Sequence, residues 1–229
     1  MIDFSAISFP SPLRAVRLVA AMGTVFLLCA CGTPATQIDY TAFRESRPRS
    51  ILVMPPVNQS PEIKAAATFV ATSTVPLAES GYYVIPVTLS EETFKQNGVT
   101  VAEEAHALEL GKLREIFGAD AALFITITRF GASYRVLSSV VEAAASARLV
   151  DLRTSRELWS GQVSVVQDSN NGGGGLIGAL VSAAINQVIN TLSEESQHNV
   201  GRSANYQMLS AGRPNSILFG PYHPGFETD

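Results

Sequence analysis

Four consecutive residues, Leu28, Cys29, Ala30 and Cys31, have the types and order that bacterial lipoprotein processing requires. A Leu stands three positions before the expected cleavage point, a small Ala directly before it and a Cys directly after it. The chemistry would be cleavage before Cys31, a thioether from its sulfur to a diacylglyceryl group, and acylation of the new amino terminus. One acyl chain binds a membrane only marginally, so several chains would make the attachment effectively permanent.

The residues before this lipobox have the features of a secretory signal. Arg14 and Arg17 supply positive charge, and the eleven residues 18–28 are nearly all apolar. A transmembrane helix needs about 20 apolar residues, so we predict that residues 1–30 are a signal peptide that is removed. Gly32 follows the cysteine, instead of the Asp that retains enterobacterial lipoproteins at the inner membrane. This favours the outer membrane and leaves the leaflet open.

Few other residues have the spacing of a binding or metal site. Residues 170–175 are rich in glycine and precede an apolar helical pattern, and such a loop can hold phosphate. The Lys of a P-loop is missing, so a flexible loop leading into a packed helix is the favoured interpretation. His106, His198 and His223 lack the spacing of metal ligands. We expect His223, in a rigid turn between Tyr and Pro, to be a hydrogen-bonded structural residue.

Nucleophiles and paired acids are equally scarce. Cys29 leaves with the signal, so the mature chain has no internal disulfide and no thiol nucleophile. The sequence contains no G-x-S-x-G motif. Glu91 and Glu92, and likewise Glu103 and Glu104, lie at predicted helix starts, where acids suit the helix dipole. The sequence therefore predicts no enzyme, no metal site and no cofactor.

Length and charge narrow the class further. The chain has 229 residues, of which 16 are Lys or Arg and 20 are Asp or Glu. After cleavage, 199 residues with a net charge of −5 would remain, enough for one domain with a substantial core. A mildly acidic chain does not suit nucleic acid, which requires a basic surface. Residues 31–49, polar and without periodicity, are predicted to be the lipidated Cys and a flexible tether with a short ordered patch at Tyr40–Phe43, ahead of a single domain at 50–229.

Apolar patterning predicts an α/β (α+β) domain. Ile51–Met54 is a short apolar run typical of a buried strand, and Ser60 with Pro61 indicates a helix start. The apolar residues of that helix fall on one face: Ile63, Ala66, Ala67 and Val70. Further strands are predicted at 82–87, 121–130, 136–151 and 157–167, and helices from Thr88, from Thr100, at 110–117 and at 176–193. The order β-α-β-α-α-β-β-β-α predicts a mixed sheet of about five strands with helices packed on it, and an irregular tail from Asn199.

The predicted helix at 176–193 is mostly apolar around a wide face. Its main apolar residues are Ile177, Leu180, Val181, Ala184 and Val188. One interpretation is a helix that covers the sheet. The other is that the same face also forms an interface with a partner or a second copy. The apolar part is too short to span a membrane.

Two segments carry a resemblance to a known superfamily. The TolB amino-terminal and CsgG-like α/β domains contain strands that resemble two parts of this chain. The first is residues 119–125 (ADAALFI), and the second is residues 147–151 followed across a turn by Glu157-Leu158-Trp159. Within that superfamily the chain resembles a family of outer-membrane lipoproteins of unknown function that includes a neisserial surface-antigen candidate. The segments 55–61 (PPVNQSP) and 220–224 (GPYHP) add to the similarity. The resemblance implies a mixed α/β sheet and self-association, and it brings no catalytic residues.

The sequence thus favours a non-enzymatic outer-membrane lipoprotein that acts as an accessory in envelope assembly or secretion. Its partner would be an envelope protein, such as a CsgG-like lipoprotein, bound through an exposed sheet edge or helix face. Two alternatives stay open. The protein could regulate peptidoglycan synthesis by protein–protein contact, or it could carry a small molecule beneath its apolar helix.

Overall fold

Strands and helices alternate in the first part of the domain and lead into a three-stranded meander. The computed structural model describes residues 38–135, 138–168 and 194–228. The helices in these ranges are α1 (Thr41–Ser46), α2 (Ala65–Glu79), α3 (Val87–Gln96), α4 (Ala102–His106), α5 (Leu110–Phe117) and α6 (Glu194–Leu209). The strands are β1 (Ser50–Val53), β2 (Val57–Asn58), β3 (Tyr83–Val84), β4 (Ala121–Arg135), β5 (Ser138–Asp151) and β6 (Glu157–Asp168). No helix in these ranges combines the length and apolar character needed to cross a membrane.

All six strands belong to one mixed sheet, which confirms the predicted fold class. The strand order is β3-β1-β4-β5-β6, and β2 pairs with β4 beside this path. Strand β1 pairs in parallel with β3 and β4, and β2 pairs in parallel with β4, whereas β5 is antiparallel to both of its neighbours, β4 and β6. The sheet has one strand more than expected, because the two residues of β2 are too few to leave a recognisable pattern in the sequence.

The sheet buries apolar side chains on both faces. Along β4, Leu123, Ile125 and Ile127 point into a core shared with α2 and α6, because side chains alternate between the faces of a strand. Phe124 and Ala122 point the other way, into a smaller core with α3, α4 and α5. This two-sided burial explains why β1 and the start of β4 are continuous apolar runs.

Three predicted helix starts are wrong. Helix α2 begins at Ala65, and Ser60 instead donates through its N–H and hydroxyl to the side-chain oxygen of Asn58, at 3.0 and 2.7 Å. The Asn58 side chain thus holds a tight turn where a capped helix was expected. Thr88 and Thr100 do not cap, since α3 begins at Val87 and α4 at Ala102.

The folded domain begins earlier than the predicted boundary at Ser50. Residues 41–46 form α1, and Phe43 is buried in the main core. The Tyr40 hydroxyl donates to the carbonyl of Ser216 at 2.5 Å. The segment expected to be a short ordered patch, Tyr40–Phe43, is thus anchored by a buried aromatic ring, and residues 38–49 as a whole are more ordered than the predicted flexible tether.

The expected irregular tail also begins later than predicted. Residues 194–209 form α6, which places Val200, Ala204 and Met208 in the main core. These residues recur at intervals of four, on one side of a helix that is otherwise polar. From Ser210 the tail is irregular and packs on the turn after α2. There Gly220 donates its N–H to Ser80 at 2.8 Å, and Tyr222 donates its N–H to Gly81 at 3.1 Å.

Candidate docking site

The lipobox residues Leu28, Cys29, Ala30 and Cys31 lie outside the described residues, as does the predicted interface helix with Ile177, Leu180, Val181, Ala184 and Val188. The first described residue, Ile38, already packs against the main core. Six residues, Gly32–Gln37, therefore separate Cys31 from the domain. If Cys31 is lipidated, the tether is much shorter than the predicted 31–49.

His106 and His223 have structural partners, His198 is exposed on α6, and the described residues contain no group that could hold a metal ion. The His106 Nε2–H donates to the Pro55 carbonyl at 2.8 Å, and its ring meets Phe124 edge-on. His223 stacks on Phe219 at 3.9 Å, and its Nδ1 accepts the N–H of Gly225. The structural role expected for His223 is confirmed.

Only one of the two acidic pairs lies at a helix start, as expected: Glu103 and Glu104 do, whereas Glu91 and Glu92 lie in the middle of α3, because that helix begins at Val87. Glu91 pairs with Lys95 at 2.7 Å, and Glu92 accepts a hydrogen bond from Gln96 at 3.0 Å. Glu103 and Glu104 occupy the first turn of α4. None of these contacts joins the two carboxylates of a pair, so the arrangement gives no acid–base dyad.

His106 makes the domain sensitive to acid. Burial lowers the pKa of His106 below its ordinary value of 6.5, and the nearby Arg148 charge acts in the same direction. The Pro55 carbonyl and Glu103 oppose this shift without reversing it. An unfolded His then takes up its proton at a higher pH than the folded one. We expect the free energy of unfolding to decrease as the pH falls from about 7 towards 5. In urea titrations at several pH values, the His106→Gln variant should show a smaller dependence of this free energy on pH. An unchanged slope would contradict this assignment.

A long apolar groove lies between α2 and α3, with a volume of about 500 Å³. Val53, Pro55 and Pro56 line its base at the end of β1. The α2 wall comprises Ala66, Ala67, Val70 and Ala71 together with Ile63, which precedes the helix. The other lining residues belong to α3 and to the 99–102 segment, and they include Val87, Phe94, Val99 and Val101. The groove is therefore lined mainly by aliphatic side chains, as binding sites for apolar ligands are.

The α2 wall contains the apolar face that the sequence indicates, but this face is not the one that packs on the sheet. An apolar stripe on a helix ordinarily faces the core. In α2 the buried residues are instead Ala65, Phe69, Thr72, Ser73, Pro76 and Leu77. Ile63, just before the helix, is 91% exposed at the rim of the groove. The helix is apolar on two sides, so its sequence could not show which side lacks a covering element.

The groove offers little polar chemistry. Its charged lining residues are Glu91 and Lys95, which neutralise each other in an ion pair one helical turn apart. Ser90 donates its hydroxyl back to the carbonyl of Val87 at 3.0 Å. The mostly apolar lining suits binding by contact with an apolar ligand surface.

Comparison with known protein families identifies the family of this chain. A family model described as "Putative lipoprotein GNA1162-like" matches residues 38–222. The chain belongs to this lipoprotein family. The match begins at the residue where the described domain begins, and it confirms the resemblance indicated by the sequence motifs. Membership of a lipoprotein family implies attachment to a membrane through lipid.

Two neisserial comparisons agree with this assignment. "Putative lipoprotein NMB1124/NMB1162" of Neisseria meningitidis serogroup B is 48% identical over 205 residues, which are 89% of this chain and 95% of that protein. The crystal structure of lipoprotein GNA1162 from Neisseria meningitidis is 52% identical. It matches with a TM-score of 0.52 over 62% of this chain and 99% of that one.

A more distant similarity concerns the fold alone. The carboxy-terminal domain of LpoB from Salmonella enterica is 19% identical, over 52% of this chain and 83% of that domain. The TM-score is 0.40, which is too low to support a functional argument.

Proposed function

We propose that this protein is a non-enzymatic lipoprotein of the outer membrane that binds an envelope protein through the groove between α2 and α3. The lipid on Cys31 sets its location, and the groove holds an apolar helix of the partner. The role is that of an accessory in envelope assembly or secretion. The observation that carries the proposal is the exposure of Ile63, a large aliphatic side chain that is 91% exposed beside an apolar groove. Such surfaces mark interaction sites.

The shape of the groove favours a helix as its occupant. The α2 wall is rich in alanine, at Ala66, Ala67 and Ala71. Helix axes approach to about 8 Å only where the side chains between them are small. Ile63, Ala67 and Val70 then lie along the groove at intervals of four and three residues, which matches the spacing of apolar anchors on an incoming helix. The partner would present apolar residues with the same periodicity.

Site-specific crosslinking in intact cells tests the groove directly. A photo-crosslinking amino acid at Ala67 should capture a protein partner, whereas the same group at Lys112, an exposed position on α5, should not. The captured segment is then made as a peptide, and its affinity is measured for the wild type and for two variants. Ile63→Asp should weaken binding at least tenfold, because burial of an aliphatic side chain contributes roughly 1.5–3 kcal/mol.

The matched control is Ile116→Asp. Ile116 is an isoleucine on α5 that is 52% exposed and lies outside the groove. Its replacement should leave the peptide affinity within about twofold, and both variants should keep the wild-type melting temperature, since surface substitutions usually change stability by less than about 0.5 kcal/mol. Equal losses in both variants, or captured protein only at position 112, would refute docking in the groove.

A small-molecule carrier is the second candidate, because the groove volume of about 500 Å³ is typical of ligand pockets. Native mass spectrometry of the purified lipoprotein distinguishes the two. A bound apolar molecule that Ile63→Asp removes, with no protein captured at position 67, would favour the carrier. If the protein instead regulates peptidoglycan synthesis, it would use the same groove, and crosslinking at position 67 would capture a peptidoglycan synthase. A CsgG-like partner would be recognised in the same experiment.

A further inference from the structure

The outward face of the meander carries ordered rows of polar side chains. Strand pairing places Phe124, Arg148 and Ser160 in one row across β4, β5 and β6, and Thr126, Ser146 and Gln162 in the next. The exposed members are Ser146, Arg148, Ser160 and Gln162. These residues line a shallow trough of about 560 Å³, with His106 on one side. The trough is separate from the groove between α2 and α3.

Arg148 is exposed on β5 and stacks on an aromatic ring. Its guanidinium lies over the ring of Phe124, 4.5 Å from the ring centre, and the ring itself is buried. In the described part of the chain no carboxylate lies within 4 Å of Arg148, whereas four arginines have such a partner: Arg47, Arg129, Arg153 and Arg156. The stacked ring restricts the orientation of Arg148 and leaves its N–H groups free to bind a ligand.

We propose that this trough binds an acidic glycan. Arg148 would hold a carboxylate of the glycan through paired N–H donors, the geometry that a guanidinium provides best. The hydroxyls of Thr126, Ser146 and Ser160 and the amide of Gln162 can each donate and accept, as sugar hydroxyls also do. Strand β6 is an edge strand of the sheet, so an acidic peptide that pairs with it is the alternative that polyglutamate tests below.

Glu157 gives the proposal a second, opposite test. Its carboxylate lines the same trough and is exposed, so it repels an acidic ligand without neutralising Arg148 through an ion pair. Removing this charge should therefore strengthen binding, whereas removing Arg148 should weaken it. A role of these residues in fold stability alone would not produce changes of opposite sign.

The experiment uses the mature lipoprotein in neutral detergent, with calorimetry at physiological salt. The probes are a short oligogalacturonate, a maltooligosaccharide of equal length as the neutral match, and polyglutamate as the acidic peptide. We expect binding of the oligogalacturonate only. Arg148→Gln should reduce it roughly tenfold, since charged hydrogen bonds contribute more than neutral ones, and Arg148→Lys should restore part of the loss. Glu157→Gln should increase it by a few fold.

Arg129→Gln is the matched control, because Arg129 lies on β4 outside the trough and pairs with Glu142 at 3.9 Å. It should leave the affinity unchanged. The proposal is overturned if the acidic oligosaccharide does not bind, if polyglutamate binds equally well, or if Arg129→Gln and Arg148→Gln weaken binding alike. Circular dichroism of each variant confirms that the fold is retained.

Discussion

Gly81→Ala is expected to destabilise the domain by about 3 kcal/mol or more, from left-handed strain plus overpacking. Gly81 ends the α2 turn at a φ of +89°, and a Cβ added there would lie 2.4 Å from the backbone nitrogen of His223 and 2.8 Å from the carbonyl oxygen of Gly220. Backbone atoms cannot rotate away as a side chain can. The tail segment would have to move, with loss of its hydrogen bonds to Ser80 and Gly81.

Gly98→Ala is the matched control that separates the left-handed strain from the overpacking. Gly98 has a φ of +78°, but no atom lies within 4 Å of a Cβ added there. Gly98→Ala should therefore show only the left-handed strain, about 1 kcal/mol. Urea unfolding can be followed through Trp159, the single tryptophan of the chain, which is buried beside the tail. Equal destabilisation in the two variants would show that the tail does not pack tightly on Gly81.

The position of this tail is a part of the fold that the sequence could not reveal. The close approach of Gly220 to Gly81 joins residues that are far apart in the chain, and local patterning contains no information about such contacts. The long strands, in contrast, were predictable. The hairpin turn at 151–156 and the alternation along β5 arise from neighbouring residues, and the buried face with Val141, Ala143, Ala145, Ala147 and Leu149 follows from a period of two.

The candidate site was predictable only in part, for a physical reason. The apolar face with Ile63 and Val70 was recognised from its helical spacing, but periodicity cannot show whether another element covers that face. The polar trough left no signal of its own. Ser146 and Arg148 are ordinary outward residues of an alternating strand, and only the pairing register places Arg148 beside Phe124 and Ser160.

The early start of the domain changes what the anchor would do. Seven peptide units join Cys31 to Ile38, and a fully extended chain spans about 3.4 Å per residue. The chain then allows at most about 24 Å between Cys31 and Ile38, where the predicted tether to Arg49 allowed more than twice that distance. A short tether restricts docking to partners in or beside the same membrane. It therefore supports an envelope partner anchored close to the lipoprotein.

Cys31→Ala is expected to remove the anchor completely, because the thioether requires the Cys31 sulfur. Labelling of cells with radioactive palmitate should show no acylated protein, and fractionation should no longer recover the protein with the outer membrane. Cys29→Ala is the matched control, since it removes the neighbouring thiol and leaves Leu28, Ala30 and Cys31 in place. It should be acylated and sorted like the wild type. Continued labelling of the Cys31→Ala variant would refute the lipobox, and equal loss in both variants would show that the loss is not specific to Cys31.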